Sequence, residues 1–286
     1  MSALAATISV GAFLYALLGL LVTTAWWRLL GAADQRPPWV VGLVIFGTSQ
    51  WAKYLPSNTL HFVGRQVLGR RYGIHQANLA VASTFETLSL VAAAALVAGS
   101  GLWLEGDLEP EQVVTMLVGV GAVALLLFVL EGALRGMRWT AGLMKNVPSL
   151  HDVATYQRLA ASVGLHSIFF VAVGVIGWLL SITLFPTESS SVGGAAGESI
   201  YRVLWVFASA WLAGTLTIGA PAGAGVREGV LVLGLSPSLG GTAAVTVAII
   251  LRVITVLGDG LVALIALFVE RKANAALAHE KNDPPQ

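Results

Sequence analysis

The sequence of 286 residues contains no cysteine, which excludes disulfides, thiolate metal sites and cysteine nucleophiles. Charge is scarce as well. Charged residues make up 11% of the chain and hydrophobic ones 56%, whereas a soluble domain carries about 25% charged residues. With a mean hydropathy of +0.80, the chain lacks the polar surface of a water-soluble globule and reads as an integral membrane protein. Neither sign of charge dominates: Lys and Arg number 16, Asp and Glu 15, for a net charge of +1. No basic face for nucleic acid is therefore expected. A Gly-x-x-x-x-Gly-Lys-Ser/Thr nucleotide loop is also missing, and no cofactor is expected.

Residues 1–27 carry no Lys or Arg, so the positive start of a signal peptide is lacking. About 20 apolar residues cross the hydrocarbon of a bilayer. The first segment, 5–30, is thus expected to be a retained span closed by the interfacial pair Trp26 and Trp27. Further spans fall between the charges at 74–100, 111–134, 159–185 and 238–269. Two apolar stretches differ: 38–55 ends at Pro56, and 200–219 ends at Pro221. Each is followed by a short turn and a brief apolar helix. Proline ends a helix by removing a donor and clashing with the preceding turn, and at membrane depth such a break is tolerated only within protein or beside a water-filled cavity.

The loops are asymmetric in charge. Glu105, Asp107, Glu109 and Glu111 sit in 101–111 and Glu188 and Glu198 in 186–199, neither with a basic residue. Arg135, Arg138, Lys145 and Arg158 fill 135–158, and Arg271, Lys272 and Lys281 follow the last span. By the positive-inside rule the basic side is cytoplasmic. The N-terminus is then outside and the C-terminus inside a cytoplasmic (inner) membrane. Segments 38–72 and 200–237 each leave and return on one face, as helical hairpins entering from opposite sides. The expectation is an all-α, multi-pass transmembrane domain over 1–272 with a frayed polar tail at 273–286. It has about six long helices together with two Pro-broken hairpins, about eight helical segments in all. Its two inverted repeats, about 5–100 and 159–270, are joined by the linking helix 111–134. Pro56 precedes Glu86 by about the interval that separates Pro221 from Arg252. Inverted repeats with broken helices near the midplane are an architecture of transporters.

Charges inside the apolar segments carry the functional signal. Glu86 lies mid-span, Arg252 and Asp259 lie within 238–269, and Arg65, Arg227 and Glu228 sit on the short hairpin helices. Each would cost about 2.5–3.5 kcal/mol facing lipid at the bilayer centre, so all are expected to face the interior. Ser83, Glu86 and Ser89 share one helical face, as do Arg252, Thr255 and Asp259. Buried salt bridges are one reading, with Glu86 and Arg252 inviting a pair by opposite sign and related position. A site is the other. Arg65 and Arg227 follow helix breaks, where free N–H groups and the helix dipole suit an anion and arginine offers a phosphate fork. Ser57 and Asn58 can cap the first short helix, and Gly223 and Gly225 allow close approach to the second. Glu86, Glu228, Arg252 and Asp259 form the expected charge network.

Arg158, Ser162 and His166 recur at helical spacing, but the histidine reads as a core hydrogen-bonding group. His61, His75, His151 and His279 show no metal-ligand spacing. Gly47-Thr48-Ser49-Gln50 offers a serine turn without a positioned histidine.

Lys53-Tyr54-Leu55-Pro56, followed by Arg65 and Glu86, resembles the first half of the lysylphosphatidylglycerol synthetase transmembrane-region family. The run Ala220-Pro221-Ala222-Gly223-Ala224-Gly225-Val226-Arg227-Glu228, with Arg252 downstream, resembles its second signature, a Pro-Gly-Gly-x-Gly-x-x-Glu type run. The resemblance covers about residues 5–270. Ser57 stands where glycine is common, and Ala222 and Ala224 interrupt the Pro/Gly pattern. The resemblance implies a lipid flippase without the soluble aminoacyl-transferring domain, and therefore translocation without lipid synthesis. Its implied cargo is an anionic phospholipid or a polyprenyl-phosphate-linked head group. An intramembrane enzyme acting on lipid phosphates and a structural membrane subunit are the alternatives.

The loop charges fix a topology that introduced cysteines can report, since the chain has none of its own. Asp107→Cys should react with an impermeant thiol reagent added outside intact cells, and Lys145→Cys only after permeabilisation. The reverse pattern would overturn the inverted arrangement.

Overall fold

The computed structural model describes residues 2–31, 37–55, 60–106, 153–186, 199–217 and 219–282. The expected linking helix 111–134 and the residues Pro56, Ser57 and Asn58 lie outside the described residues. Those described are all helical, with no strand among them.

Eight α-helices follow in order: α1 (Ser2–Leu30), α2 (Trp39–Gln50), α3 (Leu60–Arg71), α4 (Gln76–Glu105), α5 (Val153–Leu184), α6 (Ile200–Leu216), α7 (Val226–Leu239) and α8 (Gly241–Asn282). Four of them, α1, α4, α5 and α8, contain stretches long and apolar enough to cross a membrane. The other four have 12 to 17 residues. Helix α8 continues to Asn282, into the polar tail expected at 273–286.

The helix ends obey local chemistry. Pro38 precedes α2 with extended geometry at ψ 143°. A single 3-10 turn, Trp51–Tyr54, follows α2, and Leu55 then adopts ψ 158°, as the residue before a proline must. Gly106 ends α4 in the left-handed region at φ 85°, its N–H donating to the carbonyls of Leu102 and Trp103. Between α6 and α7 the chain turns more sharply. Pro221–Gly223 forms a 3-10 turn, and Ala222 takes φ 48°, a left-handed conformation unusual for a residue with a Cβ.

The packing has a two-fold regularity. Exchanging α1–α4 for α5–α8 in order carries each well-packed pair of α-helices onto another such pair. Thus α1 against α8 becomes α5 against α4, α4 against α6 becomes α8 against α2, and α2 against α3 becomes α6 against α7. The two 3-10 turns touch each other at the centre. Bulky apolar residues such as Trp26, Phe46, Phe170 and Ile254 are fully buried in this assembly.

Close approach of the helices relies on small residues, as membrane helix packing generally does. A Cβ on Gly101 of α4 would lie 2.8 Å from Trp205 Cβ and 3.0 Å from the Tyr201 carbonyl oxygen of α6. Gly164 of α5, by contrast, faces open space. Gly101→Ala should therefore lower stability by about 1–3 kcal/mol through overpacking. Gly164→Ala should be neutral or stabilising by up to about 1 kcal/mol. Thermal unfolding of the two variants in one detergent checks the contrast.

Candidate functional site

A cavity of about 590 Å³ opens where the two 3-10 turns meet α1, α4, α5 and α8. Its polar wall includes Lys53, Glu86, Thr215, Arg227 and Asp259, and its apolar wall includes Val22, Phe46, Phe62, Leu90, Phe169 and Val262. Polar groups thus gather on a short stretch of an otherwise greasy chamber.

Three ion pairs surround it. Arg65 of α3 and Glu86 of α4 form a buried two-pronged pair, Nη1 to Oε2 and Nη2 to Oε1, with Arg65 only 1% exposed. The Arg65 guanidinium carbon also lies 4.3 Å from the Phe46 ring centre and 5.2 Å from that of Trp26. The charge and the planar face of this arginine are thereby engaged, while its buried Nε has no hydrogen-bond partner. In the second half the corresponding pair of helices is also joined by an ion pair, with the signs exchanged: Glu228 of α7 meets Arg252 of α8 at 3.2 Å. Arg252 also donates to the Ala222 carbonyl at 3.2 Å. Glu228 accepts the Gly225 N–H at 2.6 Å, so the N3 carboxylate caps the start of α7 from within its first turn. The third pair ties the halves together. Lys53, on the first 3-10 turn, lies 2.7 Å from Asp259 of α8, and Tyr54 donates its hydroxyl to the same carboxylate at 2.5 Å.

The sequence expectation of a Glu86–Arg252 pair is corrected by these contacts. Each of the two is held by its own half, because α3 packs on α4 and α7 packs on α8.

Arg227 is the exception among the cations. No carboxylate among the described residues lies within salt-bridge distance of it. Its Nη2 donates to the Thr215 hydroxyl at 3.3 Å, its guanidinium lies 5.6 Å from the Trp211 ring centre, and its buried Nε has no hydrogen-bond partner. Lys53, Arg65, Arg227 and Arg252 therefore meet Glu86, Glu228 and Asp259, four cations against three carboxylates, and the surplus is Arg227. Two glycines create its berth. A Cβ on Gly214 would fall 2.4 Å from Arg227 Cγ, and one on Gly223 would fall 2.7 Å from Arg227 Nε. Gly223 thus accommodates the arginine and the close crossing of Gly214. Gly225, at φ 82°, has open space around it.

The structure thus places Glu86, Arg227 and Asp259 on one cavity, while Arg65 stands behind Glu86 and the Glu228–Arg252 pair lines a smaller adjoining void. Sequence reasoning passed over Lys53 and Tyr54 as ligands of Asp259, and over Thr215 and Trp211 as neighbours of Arg227. It also saw no serine–histidine pair, whereas Ser89 Oγ lies 2.9 Å from His166 Nδ1. Both residues are buried and neither lines the cavity. Among the described residues no group of three His, Asp or Glu could hold a metal ion.

Comparison with protein-family models, curated proteins and solved structures returns no match.

Removing one member of the Arg65–Glu86 pair leaves a buried charge, which typically costs about 3–5 kcal/mol. Glu86→Gln and Arg65→Gln should each destabilise by about that amount, and the double variant by clearly less than their sum. Thermal unfolding of the four proteins gives the coupling, and additive losses would show that the two charges have separate partners.

Proposed function

We propose that this protein is a lipid transporter, a flippase that moves an anionic head group between the leaflets of a cytoplasmic membrane. The observation that carries this reading is Arg227: a surplus cation on the wall of a mostly apolar cavity, with an unfilled Nε donor. A buried cation without a carboxylate is expensive to maintain, and a phosphate group, shared by phospholipids and polyprenyl-phosphate-linked carriers, supplies the missing negative charge and accepts its N–H bonds. The apolar wall suits the acyl or prenyl chain that follows such a head group into the cavity.

The packing regularity supports two inverted repeats, with α2–α3 and α6–α7 as hairpins entering from opposite faces, as does the ion pair, with signs exchanged, between the corresponding helices. In this arrangement the touching 3-10 turns form a central barrier. Rearrangement of the Glu86, Glu228, Arg252 and Asp259 pairs accompanies its opening to either side. The likeness of the Lys53–Pro56 and Ala220–Glu228 runs to the lysylphosphatidylglycerol synthetase transmembrane region points to the same activity. Arg65, engaged by Glu86 and three aromatic rings, serves in this scheme as the support of Glu86, and Arg227 as the head-group ligand. The buried Ser89–His166 pair lends nothing to a lipid-phosphate enzyme, because no substrate in the cavity touches it.

A hydrogen bond to a charged group contributes about 1.5–3 kcal/mol, so Arg227→Gln should slow translocation of an anionic lipid about tenfold to a hundredfold while leaving the melting temperature nearly unchanged. Arg227→Lys should recover part of the rate, because an ammonium lacks the planar fork. Proteoliposomes holding a fluorescent phosphatidylglycerol, with dithionite reporting its leaflet, give the rates. Full activity in Arg227→Gln would remove the residue from the mechanism.

A further inference from the structure

The Lys53–Asp259 pair differs from the other two in where it stands. Both its residues line the cavity, and the pair joins the first 3-10 turn to α8 across the two halves. Arg65 stands behind the wall at 1% side-chain exposure, whereas the Lys53 side chain is 21% exposed. Neutralising Glu86 would strand the deeply buried Arg65. Glu228 has a second task, accepting the Gly225 N–H that caps α7, and does not line the main cavity. Neutralising Asp259 instead frees an ammonium that already faces the chamber shared with Arg227. The groups whose charges act with Asp259 are Tyr15 from α1, Lys53 and Tyr54 from the 3-10 turn and Arg227 from α7, while Arg252, on α8 itself, is paired with Glu228. Helix α2, which also packs on α8, carries no titratable side chain.

Resting on the anionic-head-group reading, we propose that Asp259 is a proton-coupling site: it takes up one proton as the anion binds, and Lys53, released from its carboxylate, becomes the second cation holding that anion beside Arg227. The step balances. A proton from water adds to one Asp259 carboxylate oxygen, the Lys53–Asp259 ion pair opens, and the ammonium transfers its contact to the anion. Tyr54 keeps its hydroxyl bond to the remaining carboxyl oxygen. Departure of the anion returns Lys53 to Asp259 and the proton to water. Charge explains why the two events assist each other. With Asp259 ionised, Lys53 and Arg227 offer the cavity one net positive charge, and a monoanion meets Arg227 alone. With Asp259 protonated, two cations face the same monoanion, and the complex keeps the net charge of the empty site. The first 3-10 turn, no longer held to α8 by this pair, is also freed to move. Coupled binding of this kind lets a proton gradient drive the anion.

The test uses purified full-length protein in detergent and dioctanoyl phosphatidylglycerol, whose phosphodiester stays ionised through the working range. Binding is followed calorimetrically and proton uptake with an indicator dye in weak buffer. Wild-type protein should take up about one proton per anion bound, and by linkage its affinity should rise about tenfold per unit fall in pH wherever that uptake is complete. Because Asp259→Asn alone leaves Lys53 as a permanent second cation in the chamber, the double variant Lys53→Gln/Asp259→Asn removes both charges together. It should bind more weakly, through Arg227, with no proton uptake. Binding to wild type without proton uptake would overturn the coupling and leave the anion site standing. Uptake that persists in the double variant would overturn Asp259 as the acceptor. Failure of the wild type to bind the probe would overturn the coupling and the anionic-head-group reading together.

Discussion

A charge inside hydrocarbon must be neutralised or hydrated, and the organisation of this chain follows from that constraint. Among the described residues, seven charged side chains stand on or behind the central chamber. Six of them form three pairs: Arg65 with Glu86, Glu228 with Arg252, and Lys53 with Asp259. Each pair is placed by helix packing, and each fastens a short or broken element to a long helix: α3 to α4, α7 to α8, and the first 3-10 turn to α8. The seventh, Arg227, is held by a hydroxyl, an aromatic ring and the space left by two glycines. Its unmatched charge is the basis of the anion binding proposed for the chamber.

Pairing within a low-dielectric interior also sorts the charges by role. The Arg65–Glu86 contact is two-pronged, stacked and almost fully buried, so its loss strands a charge with no route to water. The Glu228–Arg252 contact is more open and shares its partners with backbone groups of the second turn. Ala222, in left-handed geometry, gives its carbonyl to Arg252, so local backbone strain is held in place by an ion-paired side chain, as is common where structure serves function. Lys53–Asp259 crosses between the halves and faces the chamber, where a ligand can compete for it.

Much of the fold was legible because its causes are local. Long apolar runs marked the four candidate spans, while the helices expected to run to Pro56 and Pro221 stop earlier, at Gln50 and Leu216. The reversed order of basic and acidic loops suggested two opposed halves; the packing shows a two-fold regularity of helix pairs, and the opposed orientation belongs to the proposal. Partner choice was not legible, because it depends on which helices touch. Glu86 and Arg252 looked complementary by sign and position, yet each found a nearer partner on the short helix packed beside it. Asp259 attracted little attention in sequence because Lys53 and Tyr54 lie about 205 positions away and come close only when the first turn meets α8. Arg227 was marked as a site residue for following a helix break, whereas its surplus charge appears only once every other pair is known.

The anion binding proposed for the chamber is tested most directly by native mass spectrometry. Purified wild-type protein is equilibrated with equal amounts of short-chain phosphatidylglycerol and phosphatidylcholine of matched chains, and the retained lipid is weighed as the detergent is stripped in the gas phase. One phosphatidylglycerol per chain should remain, favoured about tenfold or more, as a charge-assisted contact worth at least about 1.4 kcal/mol requires. Equal retention of the neutral-headed and anionic lipids, or retention of neither, would contradict the assignment of Arg227 as an anion ligand.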